Sequence, residues 1–105
     1  MLKEIQDCFR LDKVLYSEHA RHEMEVEKFG EIIEKEVYEA VVGGKIIESY
    51  EDDEPYPSCL IYGKTPPGRP LHIVCAYSKE ESLAIIVTAY QPGPDKWIHF
   101  ERRKM

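Results

Sequence analysis

The sequence has few features that would mark a secreted, membrane-spanning or disulfide-stapled protein. Only three of its 105 residues are cysteines; Cys8, Cys59 and Cys75 cannot all pair within one chain and show no CxxC spacing. Such cysteines are typical of free thiols in a reducing compartment. No apolar run approaches the roughly 20 residues that cross a bilayer, and the amphipathic start does not resemble a signal peptide. We therefore predict a cytoplasmic protein with no membrane partner.

Sequence motifs of the common enzyme classes are also missing. The chain has no GxSxG motif, no glycine-rich phosphate loop, no internal repeat and no low-complexity segment. These gaps exclude a motif-based assignment to the serine hydrolases or to the nucleotide-binding proteins. Function must therefore be argued from individual side chains and from their positions in the fold.

Negative charge predominates, but it is unevenly distributed. The formal net charge is −6, which argues against a protein that coats nucleic acid through bulk electrostatics. Residues 51–54 (EDDE) form an acidic block, whereas residues 96–104 (KWIHFERRK) carry four basic side chains and one acid. The sequence therefore predicts a local basic strip within an acidic chain.

Hydrophobic periodicity divides the chain into a helical part, 1–43, and a sheet part, 44–92, followed by a tail or edge strand, 93–105. With 43% hydrophobic residues and no linker, the chain should form a single domain over 1–105. Ser17 is a natural N-cap, and Gly43 and Gly44 supply a helix stop. The predicted helices span 2–10, 18–28 and 31–42.

The period changes to two after Gly44, which is typical of strands. Short loops join these strands, so we expect an antiparallel meander of four or more strands. Helices followed by strands indicate an α+β fold, with the helices packed on one face of the sheet. The predicted strands are 45–50, 58–63, 69–77 and 83–90, and 96–103 adds an edge strand or an ordered tail.

The stretch SEHARHEM, residues 17–24, concentrates titratable groups on two turns of the second helix. On a helical wheel of residues 18–28, His19 shares one broad arc with the apolar Ala20, Met24 and Val26, so we expect it to be the one titratable member that turns inward. Arg21 and Glu25 should be solvated. His19 could then be a hydrogen-bonded boundary histidine, a catalytic group or a metal ligand.

The metal interpretation is the weakest of these three. His19, His22 and Glu23 share a helix face, but HxxHE is not the HExxH arrangement of zinc proteases. His72 and Cys75 are three apart in a strand and therefore point to opposite faces. We predict no metal and no other cofactor.

The strand residues supply a second candidate cluster. His72 lies within an apolar strand, and Thr88 and Tyr90 share one face of the next strand. Arg69 should lie at the rim of the sheet, as a phosphate-binding group or a plain surface charge. Histidine, tyrosine and arginine are the groups needed for metal-free phosphodiester cleavage, in which a base, an acid and a cation act together. Trp97 or Tyr90 could stack an unpaired base.

Several short motifs together resemble a known family. SEHARHEM, GRPLHIVCAY, IVTAY and PDKW, spread over about residues 16–97, are similar to the prokaryotic domain-of-unknown-function family 4258. That family resembles the RelE-like and barnase-like small ribonucleases. The resemblance implies a RelE-like fold and a ribonuclease toxin that is encoded beside an antitoxin with a zinc finger and a helix-turn-helix.

Matched by motif, the resemblance assigns catalytic roles to His19, Arg69, His72 and Tyr90. The basic residue that usually follows the family's methionine is replaced here by the acidic Glu25 and Glu27. We expect a toxin of a toxin–antitoxin pair that acts as a metal-free endoribonuclease; the alternative is a non-catalytic protein-interaction module. RNA and the antitoxin are the expected partners. The sequence does not decide between a monomer and a homodimer. The predicted RNA-binding residues are Trp97, Arg102 and Arg103.

Overall fold

Three helices and a five-stranded sheet form the body of the protein, which a computed structural model describes over residues 1–104. The helices are α1 (Leu2–Arg10), α2 (Glu18–Glu25) and α3 (Glu34–Val42). The strands of the sheet are β1 (Val14–Tyr16), β2 (Lys45–Tyr50), β3 (Ser58–Lys64), β4 (Pro70–Ser78) and β5 (Leu83–Tyr90). Two short strands, β6 (Trp97–Ile98) and β7 (Arg102–Arg103), form a separate hairpin.

The sheet is mixed, with the strand order β1-β5-β4-β3-β2. Strands β2 to β5 form the antiparallel meander that the short loops predicted. However, β1 pairs with β5 in parallel, with Val14 opposite Ala84 and Tyr16 opposite Ile86. The expectation of a purely antiparallel sheet was therefore wrong at this edge, and the helical part, 1–43, contains a strand. Three residues are too few to give a periodic signal, so only tertiary packing identifies β1.

Helix α1 matches its predicted range, whereas α2 and α3 are shorter than predicted. The Ser17 side chain accepts a hydrogen bond from the Ala20 amide at 3.0 Å, which confirms the expected N-cap. The amide of Ile32 donates to the carbonyl of Met24 at 2.9 Å, and the Ile32 side chain is buried. This contact holds the residues after α2 in a loop with a turn at 27–30, and α3 begins only at Glu34.

All three helices pack on one face of the sheet, as expected for this α+β fold. Alternate strand residues, including Ile61, Ile73 and Ile86, are fully buried there against α1 and α3. Contact between α3 and β3 is so close that a Cβ atom on Gly63 would lie 1.9 Å from the Ala40 carbonyl oxygen. We call this side of the sheet the helix face. The three cysteines of the described chain are all buried and unpaired.

The hairpin of β6 and β7 covers part of the opposite side, which we call the hairpin face. Trp97 pairs with Arg103 across the hairpin, and the Trp97 side chain is only 4% exposed. The tail is therefore ordered, but it is not an edge strand of the main sheet. Within residues 1–104, no helix has the length and apolar character needed to span a membrane.

Candidate functional site

His72 lies on the hairpin face and is fully buried. Its Nε2 lies 2.6 Å from the Phe100 carbonyl oxygen, which can only accept, so Nε2 carries the proton and donates. Its Nδ1 lies 3.1 Å from the Tyr90 hydroxyl and therefore accepts from it. Burial lowers the pKa of His72 below the usual histidine value, which favours this neutral state. Both ring nitrogens are thus used inside the protein.

Aromatic rings enclose His72 on the remaining sides. The Trp97 ring meets it edge-on at 4.3 Å between ring centroids, and the Tyr62 ring does so at 5.8 Å. Phe100, which supplies the carbonyl, has its own ring 6.5 Å from that of Tyr62. The C-terminal hairpin therefore seals His72 from solvent, and His72 in turn binds the hairpin to β4.

An ion pair between Arg103 and Glu48 holds strand β7 of the hairpin against β2. Arg103 Nε donates to Glu48 Oε2 at 2.9 Å, and its Nη2 donates to Oε1 at 3.2 Å. The Tyr50 hydroxyl also donates to Glu48. The Arg103 guanidinium holds the pKa of Glu48 below its usual range and lies 4.7 Å above the Trp97 ring. Glu48 and Tyr50 were missed in the sequence, although the i, i+2 spacing of two polar residues in one strand was available as a signal.

Arg69 lies on the helix face and is held by internal partners. Its Nε donates to Gln91 Oε1 at 2.7 Å, and its Nη1 donates to Glu36 Oε2 at 3.0 Å. The same guanidinium donates to the backbone carbonyls of Gly30 and Glu31. The Arg69 side chain is 18% exposed. It therefore joins the sheet rim to the α2–α3 loop, on the other side of the sheet from His72.

His19 is exposed, so the expectation that it turns inward was wrong. The buried members of SEHARHEM are Ala20 and Met24, which are four residues apart on one side of α2. The predicted apolar arc had included Val26, but α2 ends at Glu25 and Val26 is exposed. Without Val26 the buried side of α2 is centred on Ala20 and Met24, and His19 lies outside it. Arg21 and Glu25 are exposed, as predicted.

The predicted site residues therefore fall into separate places. His72 and Tyr90 come together, and Trp97 and Arg103 join them through the hairpin. Neither His19 nor Arg69 takes part in the contacts of this cluster. Arg102 is exposed on β7, opposite Ile98.

A groove of about 450 Å³ opens beside this cluster. It lies between the C-terminal end of α2, the end of β5 and the hairpin, and Tyr90 and Trp97 both line it. Its charged lining residues are three acids and three cations: Glu23, Glu27, Asp95, Lys28, Lys96 and Arg103. His19 is one helical turn before Glu23, which puts their Cβ atoms roughly 6 Å apart, but His19 does not itself line the groove. We call this cavity the α2 groove.

Metal-ligating side chains do not gather in the described part of the chain. Within residues 1–104, no three histidine, cysteine, aspartate or glutamate side chains are grouped so that they could hold one ion. That the protein acts without a metal stays a prediction.

Comparison with known families supplies one match. The sequence model of the family described as Domain of unknown function (DUF4258) matches residues 16–91. The chain belongs to this family. The matched range runs from Tyr16, the last residue of β1, to just past the end of β5, so helix α1 and the C-terminal hairpin lie outside it. No curated protein and no solved structure matched the chain.

Proposed function

We propose that this protein is the toxin of a toxin–antitoxin pair, a RelE-like endoribonuclease that cleaves RNA without a metal in the cytoplasm. One observation carries the proposal: the α2 groove is bordered by the most basic segment of the chain. Residues 96–104 carry four basic side chains and one acid, within a chain of net charge −6. The groove lining itself carries three acids and three cations, so the positive charge that would favour contact with a phosphate backbone lies on the bordering segment 96–104.

Three cations in or beside the groove are suited to hold RNA phosphates. Lys28 and Lys96 line the groove, and exposed Arg102 lies nearby on the hairpin. Arg103 is partly neutralised by Glu48 and contributes less. Trp97 is too deeply buried to stack a base, so its role in the proposal is to shape the groove floor.

Glu23 lines the groove and His19 is one helical turn away on α2, and these are the two groups suited to proton transfer. The Glu23 carboxylate would take the proton of a ribose 2′-hydroxyl, whose oxygen then attacks the adjacent phosphorus. Protonated His19 would give its proton to the departing 5′-oxygen, leaving a 2′,3′-cyclic phosphate and a 5′-hydroxyl end. The lysines would stabilise the charge of the pentacoordinate phosphorane.

His72 and Arg69 are positioning residues in this proposal. His72 holds the hairpin that forms one wall of the groove, and Arg69 holds the loop between α2 and α3. Tyr90 donates its proton to His72, but its oxygen retains a lone pair that can accept from a ribose hydroxyl. The catalytic set thus keeps His19 and Tyr90 and adds Glu23.

The purified chain, incubated with free RNA and with ribosome-bound mRNA in the presence of EDTA, tests the proposal directly. We expect cleavage that leaves cyclic phosphate ends. His19→Ala or Glu23→Gln should lower the rate by about 10²-fold or more, as expected for loss of a general acid or base. His22→Ala alters an exposed histidine of the same helix and is the matched control. An equal loss in the control, or intact RNA with the native chain, would overturn the assignment.

The expected antitoxin partner is tested in cells. Induced expression of the chain should arrest growth, and co-expression of a zinc-finger and helix-turn-helix protein from the neighbouring gene should relieve the arrest. Growth that continues without that protein, at full expression of the folded chain, would contradict the toxin assignment.

A non-catalytic protein-interaction module is the second candidate. The observation that favours it is that His72 and Arg69 bind internal partners with most of their polar atoms. Under this function the native chain leaves RNA intact, and the His19 and Glu23 variants behave as the native chain does. The cleavage assay therefore separates the two candidates.

A further inference from the structure

A second groove, of about 550 Å³, lies at the other end of the sheet. It is formed by the start of α1, the β2–β3 loop and the turn after β4. Its lining includes Ser78, which is six residues along β4 from His72, or about 20 Å in an extended strand. This groove is therefore separate from the α2 groove and has no part in RNA cleavage. We call it the tyrosine groove.

Tyrosine and proline rings line the tyrosine groove. Tyr56, Pro57 and Tyr77 are half-buried, and Pro55 is exposed beside them. Flat aromatic surfaces next to prolines are suited to extended proline-containing segments, whose rings pack on tyrosine at low entropic cost. Tyrosine faces also attract the cationic ends of arginine and lysine.

The walls of this groove are held in place by hydrogen bonds. The Tyr77 amide donates to the Pro57 carbonyl at 3.1 Å, which fixes the β2–β3 loop to β4. The Ser58 hydroxyl donates to Asp53 at 2.5 Å, and Ser58 is itself buried. The groove is therefore formed before any ligand arrives, which lowers the entropic cost of binding.

Acidic side chains occur in the lining of the tyrosine groove and in the chain segment that leads into it. The exposed block 51–54 leads directly into Pro55, and Glu4 and Glu80 are part of the lining. Glu4 is paired with the amino group of Met1, and Lys79 is a lining cation. The lining is thus balanced, two acids against two cations, and the negative surplus is that of block 51–54, next in the chain to the lining residue Pro55. This surplus beside an apolar floor is complementary to a basic segment and would speed its association.

We propose that the tyrosine groove binds an extended segment of a partner protein that contains proline and arginine or lysine. The proline rings pack on Tyr56 and Tyr77, and the cationic groups contact the acidic block 51–54. This binding is independent of the proposed RNA cleavage, because the two grooves share no lining residue.

Fluorescence anisotropy with the full chain tests this proposal. The probes are two labelled peptides, one of alternating proline and arginine and one of alternating proline and glutamate. We expect the arginine peptide to bind and the glutamate peptide not to bind. Tyr56→Ala should weaken binding by about tenfold or more, which corresponds to about 1.4 kcal/mol. Tyr38→Ala, at an exposed tyrosine of α3, is the matched control.

The charge contribution is tested by neutralising three acids at two places. Glu51→Gln, Asp52→Asn and Glu54→Gln together should also weaken binding by about tenfold, while Asp53 keeps its bond to Ser58. The control has the same net charge but changes exposed or half-exposed acids elsewhere, Glu25→Gln, Glu27→Gln and Glu31→Gln. Equal effects in both triple variants would mean nonspecific attraction and overturn the proposal.

Two further outcomes would also overturn it. If neither peptide binds the folded chain, the groove does not take a basic segment. If the chain dimerises in solution and Tyr56→Ala abolishes the dimer, a second copy occupies the groove instead. RNA cleavage measured on Tyr56→Ala keeps this result distinct from the fate of the proposed function, since that variant leaves the α2 groove unchanged.

Discussion

Neighbouring residues of β4 are buried in two chemically different environments. Ile73 points to the helix face and belongs to the apolar cluster there, whereas His72 points to the hairpin face and uses both ring nitrogens. The helix face is stabilised by nondirectional burial, which tolerates small shifts. The hairpin face depends on directional hydrogen bonds and ring contacts, which do not tolerate such shifts. Strand β4 thus contributes one face to an apolar core formed by many residues and the other face to a cluster held by a few specific contacts.

This difference predicts two levels of stability within the molecule. Truncating a large buried aliphatic side chain costs about 2–5 kcal/mol, whereas a hydrogen bond contributes about 1 kcal/mol net. The hairpin of β6 and β7 is short and is held by a few hydrogen bonds and by one large buried ring, that of Trp97. We therefore expect it to open locally before the helix face unfolds.

The largest expected effect comes from overpacking the helix face at Gly63. In Gly63→Ala the new Cβ atom would overlap the Ala40 backbone and force α3 away from β3. We expect a loss of about 3 kcal/mol or more in the free energy of unfolding, measured by urea denaturation. Gly43→Ala, whose Cβ would lie no closer than 3.8 Å to the Glu39 oxygen, should be nearly neutral. Similar values for both variants would contradict the close contact of α3 with the sheet.

An intermediate effect is expected at Arg69, a directional contact that lies on the helix face. Arg69→Met removes the bonds to Glu36, Gln91 and two backbone carbonyls, so we expect a loss of about 2 kcal/mol in the same urea assay. Arg21→Met breaks an exposed pair with Glu34 and a cation–π contact with Tyr16, and it should cost about 1 kcal/mol. If Arg69→Met costs no more than Arg21→Met, directional contacts do not contribute to the helix face.

The smallest expected effect is a pH dependence at His72. Burial lowers its pKa in the folded state, so the unfolded or undocked chain binds a proton more readily. The stabilisation is present above about pH 6.5 and is lost as the pH falls below that value. Hydrogen exchange of residues 96–104 should therefore accelerate between about pH 7.5 and pH 5.5, after correction for the intrinsic rates.

Two variants show whether His72 causes this pH dependence. His72→Gln should remove it, and His99→Gln, at an exposed position of the same hairpin, should retain it. Glu48 and Arg103 also face His72, but the lowered pKa of Glu48 and the raised pKa of Arg103 keep both charged in this range. Unchanged acceleration in His72→Gln would show that another group controls the hairpin.

Local pattern was sufficient for most of the fold but for little of the candidate site. Alternation predicted β2 to β5 closely, and Ser17 predicted the start of α2. His19 was misplaced because one apolar residue beyond the true end of α2 shifted the predicted arc. The contact of His72 with Tyr90 can be predicted from the sequence, because both residues belong to neighbouring strands of a meander with alternating faces.

The sequence by itself determined the α+β class, the antiparallel meander and the apolar helix face, because these depend on periodicities that neighbouring residues repeat. Only the tertiary structure decided three other features: the parallel pairing of β1, the fold of the tail over His72, and the inward bonds of Arg69. Each of these rests on a contact between residues far apart in the chain, such as Phe100 with His72 or Arg69 with Gly30. A single directional contact leaves no repeated pattern in the sequence, so its partner becomes known only when the chain has folded.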